Sequence, residues 1–145
     1  MSGADRASEV SPKSVIRRFS EEVVNQGNYA ALKDLVHPDV QFDSKMAGVA
    51  PGIEGVKAVF SAMRKGFPDL ACAIDELVAE GPTVAERFTF TGTHQGEFHG
   101  VAPTGKRVTV QGMAMFRVTD GKIAARWGVE DQLGLLKQLG YFPTK

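Results

Sequence analysis

Residues 70–129 read as β-strand almost without a break, and most of what precedes them reads as helix. That division constrains the fold more than any other feature of the chain. Leu70, Cys72 and Ile74 alternate, and the pattern slips at Leu77-Val78 as a β-bulge makes it do. Val84, Phe88 and Phe90 share one face of the next segment, and Val108, Val110, Ala114, Phe116 and Val118 share one face of the segment after it. Asp120-Gly121 is a strong hairpin turn. The last strand then sets Ile123, Ala125, Trp127 and Val129 on one face. Helices followed by an antiparallel run predict an α+β fold. A long curved sheet wrapped over helices leaves a concave apolar space, the kind of place where small ligands bind.

The helical half is punctuated clearly. Ser11-Pro12 supplies an N-cap and a proline for the first turn, Val15, Phe19 and Val23 recur every four residues, and Gly27 ends the helix. Asn28 is placed to cap a short second helix with Leu32, Leu35 and Val36 inward, which His37-Pro38 stops. A short strand is expected at Val40-Gln41-Phe42. A third amphipathic helix is expected over residues 53–65, with Val56, Val59, Phe60 and Met63 on one side and Gly66 and Pro68 closing it. A short C-terminal helix is expected over residues 131–139, with Gly140 as its stop. Residues 1–10 read as a flexible leader and residues 11–145 as a single domain. A chain of 145 residues is long enough to bury roughly 68–70% of its unfolded surface.

Charge and cysteine usage narrow the function. Seventeen basic residues balance seventeen acidic ones, without a block of either sign, which argues against nucleic acid or a membrane as partner. Cys72 is the single cysteine, so an intramolecular disulfide is excluded, and in its apolar run it reads as a buried structural thiol. No apolar stretch resembles a signal peptide or a membrane span, and a cytoplasmic location is expected. The three histidines lack metal-ligand spacing, so no metal is expected.

Several residues are candidates for chemistry. Asp131 extends the alternation of Trp127 and Val129 toward the interior, where desolvation raises a carboxyl pKa and suits it to proton transfer. It is equally placed to be the N-cap of the helix that follows, and both roles stay open. Asp43 stands at the end of the first strand as a second carboxylate. Glu86 shares the face of Val84, Phe88 and Phe90, where an ionisable group is costly unless paired, with Arg107 or Arg117 as candidate partners. His94 and His99 are candidate acid–base groups. Phe19, Phe60, Met63 and Phe88, with Trp127, Gln111, Met113 and Met115, are candidates to line the substrate space. Arg126, Glu130, Lys122 and Lys137 read as solvated faces.

Two stretches carry a family likeness. One holds Gly92-Thr93-His94, Gly96, Phe98, Gly100 and Pro103-Thr104-Gly105-Lys106. The other holds Phe116-Arg117, Asp120-Gly121-Lys122-Ile123, Trp127, Asp131 and Gln138-Leu139-Gly140. Together they resemble the SnoaL-like polyketide cyclases, and the likeness extends over residues 12–142. The resemblance implies an NTF2-like cone-shaped barrel and an intramolecular aldol cyclisation of a hydrophobic, polyketide-like small molecule without metal or cofactor. It also implies that Asp131 matches the catalytic aspartate, with His94 and His99 orienting the substrate, and that the chain is a homodimer. Gln111-Gly112-Met113-Ala114-Met115 has no histidine where the family's cyclases carry one to support that aspartate, and this leaves a non-catalytic ligand-binding module as the alternative. Ketosteroid isomerase, also NTF2-like, keeps its base near the position of Asp43. Here, however, Phe19 and Met113-Ala114 stand where its oxyanion donors would be.

Overall fold

The computed structural model describes residues 10–43 and 48–141. The expected leader, apart from Val10, lies outside the described residues. Helix α1 (Pro12–Arg18) begins as its sequence dictates: the Ser11 hydroxyl accepts from the Ser14 amide at 3.1 Å, and Pro12 sits in the first turn. The helix then widens. Phe19–Asn25 wind as a π-helix with five-residue spacing, continued by the Gln26 amide donating to the Glu21 carbonyl at 3.0 Å. The broader turn buries Ser20 and Val24 beside Phe19 and Val23. Two clamps hold its end. Asn25 accepts from the Cys72 amide at 2.6 Å and donates to its carbonyl at 3.1 Å, while Arg64 donates to the carbonyls of Val24 and Asn25.

A 3₁₀ turn (Tyr29–Ala31) leads into the single-turn α2 (Leu32–Leu35), and the Asn28 side chain makes no capping bond to it. Strand β1 (Val36–Phe42) starts earlier than expected and runs through Pro38. Proline is tolerated because β1 lies at the sheet edge. Helix α3 (Gly52–Gly66) follows, then β2 (Ala71–Glu80), β3 (Thr83–Thr93), β4 (Arg107–Thr119), β5 (Lys122–Glu130) and α4 (Gln132–Gln138). The strands order as β1-β5-β4-β3-β2, antiparallel except for β1 beside β5. Val15, Ile16, Val56 and Phe60 from the helices join Val84, Val108 and Phe116 from the sheet in one core. The result is an α+β cone whose helices pack on the concave side of a curved sheet.

Two bulges decide which side chains see that interior. In β2 the slip comes at Asp75, between the pairs Ile74–Phe88 and Glu76–Arg87, slightly earlier than expected. In β5 Val118 pairs with Ile123 but Arg117 pairs with Ala125, so Ala124 is an extra residue. The bulge reverses the alternation. Beyond it Arg126, Gly128 and Glu130 pair with Phe116, Ala114 and Gly112, whereas Trp127 and Val129 pair with the outward Met115 and Met113. The β4–β5 hairpin itself turns on Asp120 (φ 53°) and Gly121 (φ 75°), the left-handed pair expected of Asp-Gly.

Candidate active site

Two adjoining cavities, of about 60 and about 70 Å³, lie between the helices and the concave sheet. They share Phe42, Val59, Met63, Phe90, Arg126 and Glu130 in their walls. The inner one adds Phe19, Ser20, Phe60, Cys72, Glu86 and Phe88, and the outer one reaches the surface at Asp43, His99 and Gln132. Phe19, Phe60, Met63 and Phe88, all expected to line the space, are therefore brought together around the inner cavity. Phe60 makes edge-to-face contacts with Phe19 at 5.6 Å and with Phe42 at 5.9 Å.

Arg126 is the charge at the centre. It is 9% exposed, so its expected place on a solvated face is corrected: the Ala124 bulge turns it inward. Its guanidinium carbon lies 5.1 Å from the Phe42 ring centre and 5.6 Å from that of Phe116, within cation–π range. Gly128 makes the room, since a β-carbon there would lie 2.6–2.8 Å from the guanidinium. Burial lowers the Arg126 pKa, while the charges of Glu130, Glu86 and Asp43 act to raise it. An arginine remains protonated under such conditions.

Glu86 is 5% exposed and faces the inner cavity. Among the described residues its carboxylate accepts no hydrogen bond and forms no salt bridge, and neither Arg107 nor Arg117 pairs with it. Arg107 instead reaches Asp69 at 3.6 Å. Burial pushes the Glu86 carboxyl above its ordinary value, and the Arg126 charge offsets part of that rise. Nearby, Cys72 is pushed up to about 12, first by burial and then by the Glu86 charge. A thiol at that value stays protonated and is not a nucleophile at neutral pH. Glu130, also expected on a solvated face, lines both cavities and accepts from Gln132 Nε2 at 3.2 Å.

The other candidates fall elsewhere. Asp131 is exposed, and its Oδ1 accepts from the Gly134 amide at 2.8 Å as the N-cap of α4. Its carboxylate also lies where a β-carbon on Gly134 would stand, only 2.2 Å from Oδ2. The expected inward placement is corrected: the same bulge puts Asp131 on the outward side, next to Gln111, whose carbonyl accepts its amide at 3.0 Å. Trp127, Met113, Met115 and Gln111 are corrected with it, all exposed on the convex face, Met113 at 56% and Trp127 at 46%. His94 is wholly buried outside both cavities. Its Nδ1 accepts from the Thr104 amide at 3.2 Å, and its ring lies 5.4 Å from that of Phe67, so it fastens the 94–105 loop. His99 sits at the outer cavity's rim, and Asp43 lies at that rim with its amide donating to the Arg126 carbonyl at 3.0 Å.

A sequence family described as SnoaL-like polyketide cyclase matches residues 14–139. The chain is 27% identical over 118 residues to nogalonic acid methyl ester cyclase of Streptomyces nogalater, covering 80% of this chain and 88% of that one. The solved structure of TsrD from Streptomyces laurentii superposes with a TM-score of 0.81 at 31% identity, covering 90% of this chain and 95% of that one. IdmH from Streptomyces antibioticus superposes with a TM-score of 0.77 at 32% identity, covering 90% and 99%.

Proposed function

Because the chain belongs to the SnoaL-like polyketide cyclase family, we propose that it closes a ring in a hydrophobic, polyketide-like substrate by cofactor-independent acid–base chemistry inside the cone. The observation that carries this reading is the buried guanidinium of Arg126, held in an aromatic cavity where a developing oxyanion would gain most from it. In an aldol closure a carboxylate takes a proton from the carbon beside one carbonyl. The freed electron pair forms an enolate, the enolate carbon bonds to a second carbonyl carbon, and the new alkoxide takes a proton back. Substrate and product are isomers, so no redox partner is required.

The cavities, about 60 and about 70 Å³, are smaller than the roughly 300–1,000 Å³ of pockets that enclose a drug-sized ligand. The reacting end of a polyketide enters between Phe19 and Arg126, and its bulk extends past Asp43 and His99. Incubation with nogalonic acid methyl ester, the compound in the relative's name, tests the reading. A product of unchanged mass with a new ring by NMR supports it. Tight binding with no product, across several polycarbonyl esters, supports the binding-module reading, which the fixing of Asp131 as a helix cap favours. We also propose that the convex face bearing Met113, Met115, Trp127 and Val129 is covered by a second copy of the chain.

A further inference from the structure

We propose that Glu86 is the proton-transfer residue of this cavity and that Arg126, seated over Gly128, holds the oxygen of the enolate it generates. The inference rests on the acid–base reading above and names its missing carboxylate. Asp131 is exposed and occupied as a cap, so the proton acceptor has to come from elsewhere in the cone.

Three observations converge on Glu86. First, it is a buried carboxylate with no hydrogen bond among the described residues, an arrangement that weakens a fold and that a leucine would avoid. Second, its place in the sheet is open toward Arg126. Glu86 pairs with Ala114, and Ala114 pairs with Gly128, so the two residues between the acid and the guanidinium have almost no side chain. A trough crosses the floor there, walled by Phe88 and Phe116 at the flanking register positions. Third, the polar groups that share the inner cavity with Glu86 are the Arg126 guanidinium and the Glu130 carboxylate from β5, the protonated Cys72 thiol from β2 and Ser20 from the π-helix. Arg126 is a positive charge for the substrate oxygen, the thiol does not compete for the proton, and Glu130, nearer the rim, already accepts from Gln132 Nε2.

The step balances without a co-reactant. The Glu86 carboxylate takes the α-proton of a ketone, the C–H pair becomes the enolate C=C bond, and the carbonyl π pair moves onto the oxygen beside Arg126. In D₂O the carboxylic acid exchanges its proton for a deuteron and returns it to carbon.

The probe is 2-tetralone in D₂O, followed by ¹H NMR for loss of its α-proton signal. The wild-type protein is expected to accelerate exchange over buffer, with a rate that rises with pH at a midpoint above the usual carboxylate range. Glu86→Gln is expected to lose about 100-fold or more of that acceleration, as removal of a general base does, with its thermal midpoint retained. Glu86→Asp, which keeps the carboxylate one methylene back, is expected to fall between. Asp131→Asn is expected to exchange at the wild-type rate. Undiminished exchange by Glu86→Gln overturns the assignment and leaves the acid–base reading standing. No exchange above buffer by the wild type overturns the assignment outright, and ring closure of the ester, assayed in parallel, decides separately whether that reading falls too.

Discussion

The two faces of the β4–β5 hairpin differ in kind. The concave face sets Ala114, Phe116, Arg126, Gly128 and Glu130 against helices, and the convex face carries Met113, Met115, Trp127 and Val129 exposed. The inner face keeps its charges where solvation is poor, so each is shifted by its own burial and by the charges of its neighbours. The outer face carries exposed apolar side chains at Met113, Met115, Trp127 and Val129, with Gln111 and Arg117 beside them, in a patch of the kind that marks an interaction surface. Changes on the inner face should therefore alter chemistry and stability together, and changes on the outer face should alter assembly alone.

The largest effect expected is from Arg126→Ala. It leaves Glu86 and Glu130 around an emptied, uncompensated site and should lower unfolding free energy by about 3 kcal/mol. Arg126→Met, which refills the volume, should recover part of it. Urea denaturation showing less than about 1 kcal/mol of loss would break the claim that the inner face is electrostatically coupled. Next, Trp127→Glu should weaken self-association by about 2 kcal/mol, the scale of an aromatic interface anchor, with thermal stability of the separated chain unchanged. Sedimentation of the wild type as a monomer at micromolar concentration would end the proposal for the outer face. Asp131→Ala should remove about 1 kcal/mol through the lost cap while ester cyclisation continues. If turnover vanishes and the fold survives, catalysis belongs at the rim and the contrast between the faces fails.

The smallest effect is a pH dependence. A carboxyl raised in the folded state holds its proton where the unfolded chain has released it. Its contribution is complete below the unfolded carboxylate pKa and is lost as pH rises through the folded value. The stability of wild type relative to Glu86→Gln should therefore fall as pH rises above the ordinary carboxylate range. Parallel urea midpoints for the two proteins would count against a desolvated Glu86.

The order of helices and strands was legible because its signals are local: the Ser11-Pro12 start, the Asp120-Gly121 turn, and the alternation of Val84, Glu86, Phe88 and Phe90. The interior of the site was legible only in part. Period-four spacing located Phe19 but not Ser20 or Val24, because a π-turn follows from packing rather than from spacing. The Ala124 bulge leaves no mark in composition, so alternation carried forward from Ile123 placed Arg126, Trp127, Val129 and Glu130 on the wrong face. Glu86 on an apolar face called for a positive neighbour, but that neighbour is Arg126 rather than Arg107 or Arg117, because Arg126 and Gly128 face inward only after the Ala124 bulge has reversed the strand.

The extra residue at Ala124 also bears on how such a chain varies over generations. Residues 126, 128 and 130 face the interior, while 127 and 129 face outward, so two inherited traits are interleaved on one short strand. Point mutations can drift either trait while sparing the other. A deletion at position 124 would exchange the two sets at a stroke, which makes the bulge a less replaceable part of the strand than any side chain it carries.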